Sequence, residues 1–343
     1  MIRFTVDGRE AHAEDGELLL DALRREGAGV PTLCHDDRLE EYGGCRLCLV
    51  GVDGAPRPVP ACATRVAEGM EVTTNGALTG YRETILEMLA AEHEPAAGNR
   101  PDELLELGAE AAFRLPERRE EYLDVNDVIG LDPNACVLCM RCVRYTEEIA
   151  QCHALGLEGR GAGARVVPTA GRSFLGTECE LCGGCVSVCP TGALYEKRAV
   201  GAPPERELTQ VRTTCTYCGV GCQLDLNVDP ATGRIVKVTS REEYLPNRGD
   251  LCVKGRFAIG FVHSGDRLTT PLVRGDDGEL HPATWESALS RAAFGLRRVQ
   301  REHGTQATAV LSSARLTVEE NYLVQKLARS ALHVNSIHSC EGT

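Results

Sequence analysis

Residues 179–190 read CELCGGCVSVCP, and their reading decides the fold. Four thiols recur at gaps of two, two and three residues, with a proline after the last. This spacing is the bacterial ferredoxin signature, in which thiolates from one short run hold a cubane iron–sulfur cluster. Sites of this kind act as staples and offset a thin apolar core. The chain has need of that, because only 4% of its residues are aromatic.

A related run lies upstream, Cys136-x2-Cys139-x2-Cys142. In two-cluster ferredoxins the fourth cysteine of each run ligates the cluster of the other. Cys136, Cys139, Cys142 and Cys189 therefore make one complete 4Fe-4S set. The other set has Cys179, Cys182 and Cys185, and its fourth ligand is due at position 146, which is Thr146. Cys152 follows six residues later in RYTEEIAQC. A helix rising ~1.5 Å per residue carries it ~9 Å too far, so it is a ligand only if the local backbone is rebuilt. The alternatives are an ordinary buried thiol at Cys152 and a cluster of 3Fe-4S type.

Two further sets flank this middle. Cys34-x10-Cys45-x2-Cys48-x13-Cys62, with Gly43 and Gly44 ahead of the close pair, suits a 2Fe-2S cluster whose sulfides accept backbone N–H groups. A zinc knuckle is the competing reading, but zinc sites usually come as two short pairs. Cys215-x2-Cys218-x3-Cys222-x29-Cys252 suits another cubane against the same competitor. Cys340 is left over.

The rest of the composition narrows the class. In 343 residues, 37 basic against 50 acidic side chains give a net charge of −13, which repels nucleic acid and anionic membranes. The N-terminus MIRFTVDGREAHAEDG lacks the apolar core of a signal peptide. No apolar run approaches the ~18 residues of a membrane span. Seventeen cysteines in tight clusters then read as metal ligands in a reducing, cytoplasmic setting rather than as disulfides.

Local patterns supply the secondary structure. IRFTV alternates like a strand, and Asp15 is placed to cap the helix GELLLDALRREG. Residues 79–120 are charged and helical, and 199–210 have linker composition. Thr284 caps the helix that starts at Trp285. ATAVLSS reads as a buried strand, Thr317 and Glu320 as a capping box, and HVNSI as a second parallel strand. No strand leads into a nucleotide fingerprint.

The order of the four sets, together with CTYCGVGCQLDLNV and GDLCVKGRF, resembles the alpha subunit of NAD-linked, molybdopterin-dependent formate dehydrogenases. It also resembles the large, G-type electron-transfer subunit of complex I NADH dehydrogenase. CVLCMRCVRYTEEI leans toward the complex I subunit. TECELCGGCVSVCPTGALYEK leans toward formate dehydrogenases and iron hydrogenases, and GRFAIGFVHSGDRLTTPLVR toward formate dehydrogenases.

The resemblance implies an α+β multidomain chain. Residues 1–78 are expected to form a ferredoxin-like β-grasp 2Fe-2S domain and 79–120 a helical segment. Residues 121–206 would form a bacterial-type 2x4Fe-4S ferredoxin domain and 211–266 a molybdopterin oxidoreductase 4Fe-4S domain. Residues 267–343 would begin a truncated α/β molybdopterin oxidoreductase domain. The family's His-x3-Cys-x2-Cys-x5-Cys set falls on His93, Ala97, Arg100 and Glu106, so that cluster is expected to be absent and His93 to be a surface or capping residue. Lys254 matches the lysine that lies between cluster and pterin.

The function so implied is electron transfer between an NADH-oxidising, flavin-bearing partner subunit and a molybdopterin site. One 2Fe-2S and three 4Fe-4S clusters carry it, the one at Cys179, Cys182 and Cys185 being 4Fe-4S or 3Fe-4S. The chain is then the N-terminal part of a formate dehydrogenase alpha subunit. HVNSIHSCEGT aligns Asn335 and Cys340 with the stretch before the catalytic cysteine or selenocysteine, while His338, Glu341, Gly342 and Thr343 depart from it. The alternative is a complete, non-catalytic electron-transfer subunit of a complex I-like or hydrogenase-type complex. A zinc-rich scaffold is the third reading.

Overall fold

The computed structural model describes residues 1–95, 100–110, 126–171 and 173–340, without the side chains of Ala162 and Cys340. The expectations placed on Ala97, on 111–120 and on 341–343 lie outside the described residues. Two compact units emerge, one of residues 1–210 with 227–237 and the other of 211–226 with 238–343.

The first unit begins with the alternating stretch: β1 (Ile2–Val6) buries Phe4 and Val6 and pairs antiparallel with β2 (Arg9–Ala13). Helix α1 (Leu19–Arg25) follows, then β3 (Leu49–Val52), β4 (Val59–Pro60) and β5 (Glu71–Thr73). The sheet order β2-β1-β5-β3-β4, with β1 and β5 parallel, is that of a β-grasp. Leu19, Leu20, Ala22 and Leu23 of α1 are fully buried in the core beside Val50, Val72 and the thiols of Cys48 and Cys62. Each buried leucine contributes roughly 1.5–3 kcal/mol. Asp15 does not cap this helix. The cap position is Leu18 in extended backbone, with no side-chain bond, and the Thr64 carbonyl accepts the Leu19 N–H instead.

Helix α2 (Ala77–Glu92) and the short α3 (Glu103–Glu106) then lead to the ferredoxin part. Leu33 and Leu47 from the first ligand loop, Ala90 of α2, Leu104 of α3 and Val137 of the next ligand loop share one apolar cluster. β6 (Ile129–Leu131) pairs with β9 (Leu194–Glu196), and β7 (Leu155–Glu158) with β8 (Arg165–Pro168). Between them stand α4 (Arg141–Arg144) and α5 (Gly184–Ser187).

β10 (Thr209–Thr214), β11 (Gln223–Val228) and β12 (Ile235–Thr239) form a sheet in that order. In the second unit α6 (Val253–Phe257) precedes the antiparallel pair β13 (Leu272–Arg274) and β14 (Leu280–Pro282). Thr284 caps α7 (Trp285–His303) through the Ser287 N–H at 3.2 Å, as its position predicts. The Thr317–Glu320 capping box opens α8 (Val318–Lys326). β15 (Val310–Ser313) and β16 (Ile337–Cys340) are parallel, but β16 starts later than HVNSI suggests. His333 adopts φ 55°, which breaks the extended run before Ile337. Leu311, Trp285, Phe294 and Tyr322 are exposed on this α/β piece. Among the described residues no helix is long and apolar enough to cross a membrane.

Candidate iron–sulfur centres

All cysteines from Cys34 to Cys252 are free thiols. In the first set the Cys48 and Cys62 sulfurs lie 3.3 Å apart, and the Cys45 N–H points at the Cys34 sulfur at 3.3 Å. The Cys45 thiol, then that of Cys62, holds Cys34 down to about 2. The Cys34 contact in turn pushes Cys45 and Cys62 up, while Cys62 draws Cys48 down to about 7. Four sulfurs this close compete for their protons, and iron in their place removes the conflict. Positive φ at Gly43 (62°) and Arg46 (64°) curls the loop around the thiols. An all-thiolate donor set with inward N–H groups fits a 2Fe-2S cluster.

The two ferredoxin runs are built alike. Leu138 and Met140 flank Cys139 with φ of 54° and 64°, and Leu181 and Gly183 flank Cys182 with 55° and 74°. Left-handed backbone costs a leucine or methionine about 1 kcal/mol or more and persists where surrounding structure imposes it. In each run the third cysteine, Cys142 or Cys185, is the second residue of a four-residue helix. Gly184 is required there, because any Cβ would run into the Tyr145 ring.

Cys136, Cys139, Cys142 and Cys189 line one cavity, walled by Leu131, Val137 and Leu194. Burial pushes the Cys139 and Cys142 thiols well up, and the neighbouring sulfurs add to it. A shared cavity with four convergent sulfurs and apolar walls fits a cubane.

At the second ferredoxin site position 146 carries no thiol. Thr146 is buried, and its hydroxyl donates to the Val143 carbonyl at 2.9 Å. The helix does not continue as an α-helix: Tyr145–Ile149 widens into a π turn, and Gln151 and His153 take φ of 52° and 46°. The N–H groups of both Cys152 and His153 return to the Thr146 carbonyl at 2.9 Å. This is the rebuilt backbone that a ligand at Cys152 needs. Burial raises the Cys152 thiol and the nearby Cys182 raises it further, while Cys152 in turn raises Cys179.

His93 is not a surface residue. It is the C-cap of α2 but is only 3% exposed, with Nδ1 3.1 Å from the Ala135 carbonyl and Nε2 2.6 Å from Asp102. Asp102 also accepts the N–H groups of Leu104 and Leu105. Arg100 donates to the Gly192 carbonyl and Asp132 and stacks on the Tyr195 ring at 4.1 Å. Arg141 grips Glu103 with two nitrogens at 2.9 and 3.2 Å. These polar contacts tie α2 and α3 to the ferredoxin part. Of the family positions, His93 and Arg100 take part in this brace, and Glu106 closes the α3 helix that Asp102 caps. No spacing rule flags Asp102, Asp132 or Glu103, because their partners are distant in sequence.

In the second unit Cys215, Cys218, Cys222 and Cys252 form the fourth set. Burial raises Cys215 and Cys222, and the other thiols of the set add to it. The Cys215 N–H donates to the Cys222 carbonyl at 2.7 Å, closing the loop. Leu224, Val238 and Leu251 pack beneath, whereas Cys218 and Cys252 are exposed. Gly255 lets α6 approach the Cys215 sulfur, and Lys254 is exposed on the same helix, two residues after Cys252. Four sulfurs around one loop fit a cubane at the rim of this unit.

Together these thiol sets define an iron–sulfur protein. Four family profiles match in order. They are a 2Fe-2S iron-sulfur cluster binding domain at 1–77 and the ferredoxin-like domain of NADH-quinone oxidoreductase subunit 3 at 126–195. A molybdopterin oxidoreductase Fe4S4 domain follows at 208–264, and molybdopterin oxidoreductase at 267–342. The alpha subunit of NADPH-Fe(3+) oxidoreductase from Geobacter sulfurreducens is 34% identical over 99% of this chain and 40% of its own length. A G-type subunit of NADH-quinone oxidoreductase from Rhizobium meliloti is 37% identical over 98% of the chain and 40% of its own length. A Staphylococcus haemolyticus protein with formate dehydrogenase in its name is 28% identical, matched over 98% of the chain and 38% of its own length. A solved chain of an NAD+-reducing [NiFe]-hydrogenase is 30% identical with TM-score 0.52, covering 60% of this chain and 91% of that one. The chain belongs to the iron–sulfur family of that hydrogenase chain, and G-type subunits of NADH-quinone oxidoreductase are among its homologues. It spans about 40% of the length of the first curated relatives.

Proposed function

We propose that the chain is an electron wire between an NADH-oxidising, flavin-bearing subunit and a molybdopterin site of formate dehydrogenase type. The observation that carries this reading is that Cys45 of the first set and Cys139 of the second line one cavity of about 300 Å³. Ligands of two sets thus lie near one another, which supports stepwise electron transfer between them.

In this reading Cys34, Cys45, Cys48 and Cys62 hold a 2Fe-2S cluster. Cys136, Cys139, Cys142 and Cys189 hold one 4Fe-4S cluster, and Cys179, Cys182, Cys185 and Cys152 hold another. Cys215, Cys218, Cys222 and Cys252 would hold a third, and Lys254 would lie between it and a bound pterin, as the resemblance implies. When bound, the clusters supply one-electron chemistry. The protein supplies thiolates, inward N–H groups and apolar walls that exclude water. The dense reduced thiols support a cytoplasmic setting. The exposed apolar residues of α7, α8 and β15 support a reading in which further molybdopterin-domain structure covers them.

A second reading, a non-catalytic adaptor in a complex I-like or hydrogenase-type assembly, is favoured by the match to nearly the whole of one hydrogenase chain. The test is reduction of the clusters by NADH, followed by EPR. Reduction is expected only when an NADH-oxidising flavoprotein subunit is added. NADH oxidation by the chain alone, free of flavin, contradicts the proposal. Formate oxidation by a form extended with the molybdopterin domain separates the first reading from the adaptor.

A further inference from the structure

Arg144 stands two residues beyond Cys142 and is only 8% exposed. Its side chain does not serve its own ligand run. Nη2 donates to the carbonyl of Cys34 at 2.6 Å, and Nη1 to the carbonyl of Glu40 at 2.6 Å. The ring of Tyr42 lies 4.9 Å from the guanidinium. Glu148, from the π turn that follows, accepts the Glu40 N–H at 2.7 Å and fixes the same loop from the other side. Nε is buried without a hydrogen-bond acceptor, and among the described residues no carboxylate pairs with this cation.

A buried guanidinium without a counter-charge is costly. Carbonyl dipoles offset only part of that. The groups that would balance it are the anions on either side, since a cluster held by four thiolates carries net negative charge in both redox states. Arg144 touches the backbone of a ligand of the first set and belongs to the helix of a ligand of the second.

We propose that Arg144 is the electronic bridge and shared counter-cation between the 2Fe-2S site of Cys34 and the 4Fe-4S site of Cys142. The continuous path runs from the Cys34 carbonyl through one hydrogen bond to the guanidinium, then along the backbone by Val143 to Cys142. One electron leaves the first site, oxidising it by one, and the second gains it. The NADH-linked flavin subunit is its source, and no proton moves because arginine keeps its charge. The positive charge favours the reduced form of both sites, as charge and hydrogen bonding set cluster potentials. This inference rests on the cluster assignments above.

The test uses the full chain with its clusters loaded, comparing Arg144→Met and Arg144→Lys with wild type. Iron content and the separate EPR signals of the two sites come first. Their absence from wild type overturns the cluster assignments, and the proposal falls with them. EPR-monitored redox titration then reads both potentials, and rapid one-electron reduction reads the rate of equilibration between the sites. Arg144→Met is expected to lower both potentials and slow equilibration. Arg144→Lys is expected to restore the potentials but not the rate, because one ammonium cannot span both carbonyls. Unchanged potentials and rate in Arg144→Met overturn the proposal, and lowered potentials at an unchanged rate overturn the bridge. If Arg144→Met does not retain iron, Arg144→Lys decides alone: slower equilibration at wild-type potentials supports the bridge, and wild-type behaviour in both overturns it.

Discussion

The two halves of the ferredoxin part share one backbone design and differ in how each is completed. In both, left-handed residues flank the middle cysteine and a four-residue helix carries the third. The site of Cys136, Cys139 and Cys142 receives Cys189 from the opposite run at the expected position, inside apolar walls. The site of Cys179, Cys182 and Cys185 finds Thr146 there, and the chain reaches Cys152 only through a π turn and two left-handed residues. The backbone frame is repeated, and if Cys152 completes the second site as proposed, the fourth ligand is separable from that frame.

The largest expected effect on this contrast comes from removing all iron by anaerobic chelation. Both halves are organised around thiols, so the first unit should lose its cooperative unfolding transition, read by thermal melts with and without chelator. A melt unchanged after chelation would show that the frames stand without their clusters. Next, Cys189→Ala should abolish the enclosed cluster, whereas Cys152→Ser should only convert the other to a 3Fe-4S form, seen by EPR of oxidised protein. An unchanged spectrum and iron count in Cys152→Ser would make Cys152 a bystander. Restoring the regular position sharpens the point: Thr146→Cys in the Cys152→Ser background should return the 4Fe-4S signal, and failure would mean that the π turn has moved position 146 out of reach. The smallest effect concerns the brace. His93→Ala leaves a buried Asp102 oxygen without its partner and should cost about 2 kcal/mol in denaturant unfolding. Potentials should stay unchanged, and loss of iron from this variant would mean that His93 is a ligand.

Much of this was legible in the sequence because thiol spacing carries its own geometry. The first set and the Cys136, Cys139, Cys142 and Cys189 set each converge in the structure, and the Thr284 cap and the Thr317–Glu320 box form as predicted. The Cys152 problem was also legible, since six residues beyond position 146 is too far along a helix. The backbone that follows was not, because Gln151 is not a residue type that announces positive φ, although histidine is enriched there. Of the two readings of His93, capping holds and surface exposure fails, for a related reason. Its burial depends on Asp102 and on the carbonyl of Ala135, which is 42 residues away. Asp15 failed as a cap because the Thr64 carbonyl, supplied by tertiary folding, takes the Leu19 N–H. No sequence pattern marks Arg144, and only the fold brings it to the Cys34 loop.

The central claim is that sixteen of these thiols hold one 2Fe-2S and three 4Fe-4S clusters. Iron, acid-labile sulfide and zinc should therefore be counted per chain in anaerobically prepared protein. The account predicts about fourteen irons with matching sulfide and negligible zinc. Stoichiometric zinc in place of iron would contradict it, and about eighteen irons would place a further cluster at His93.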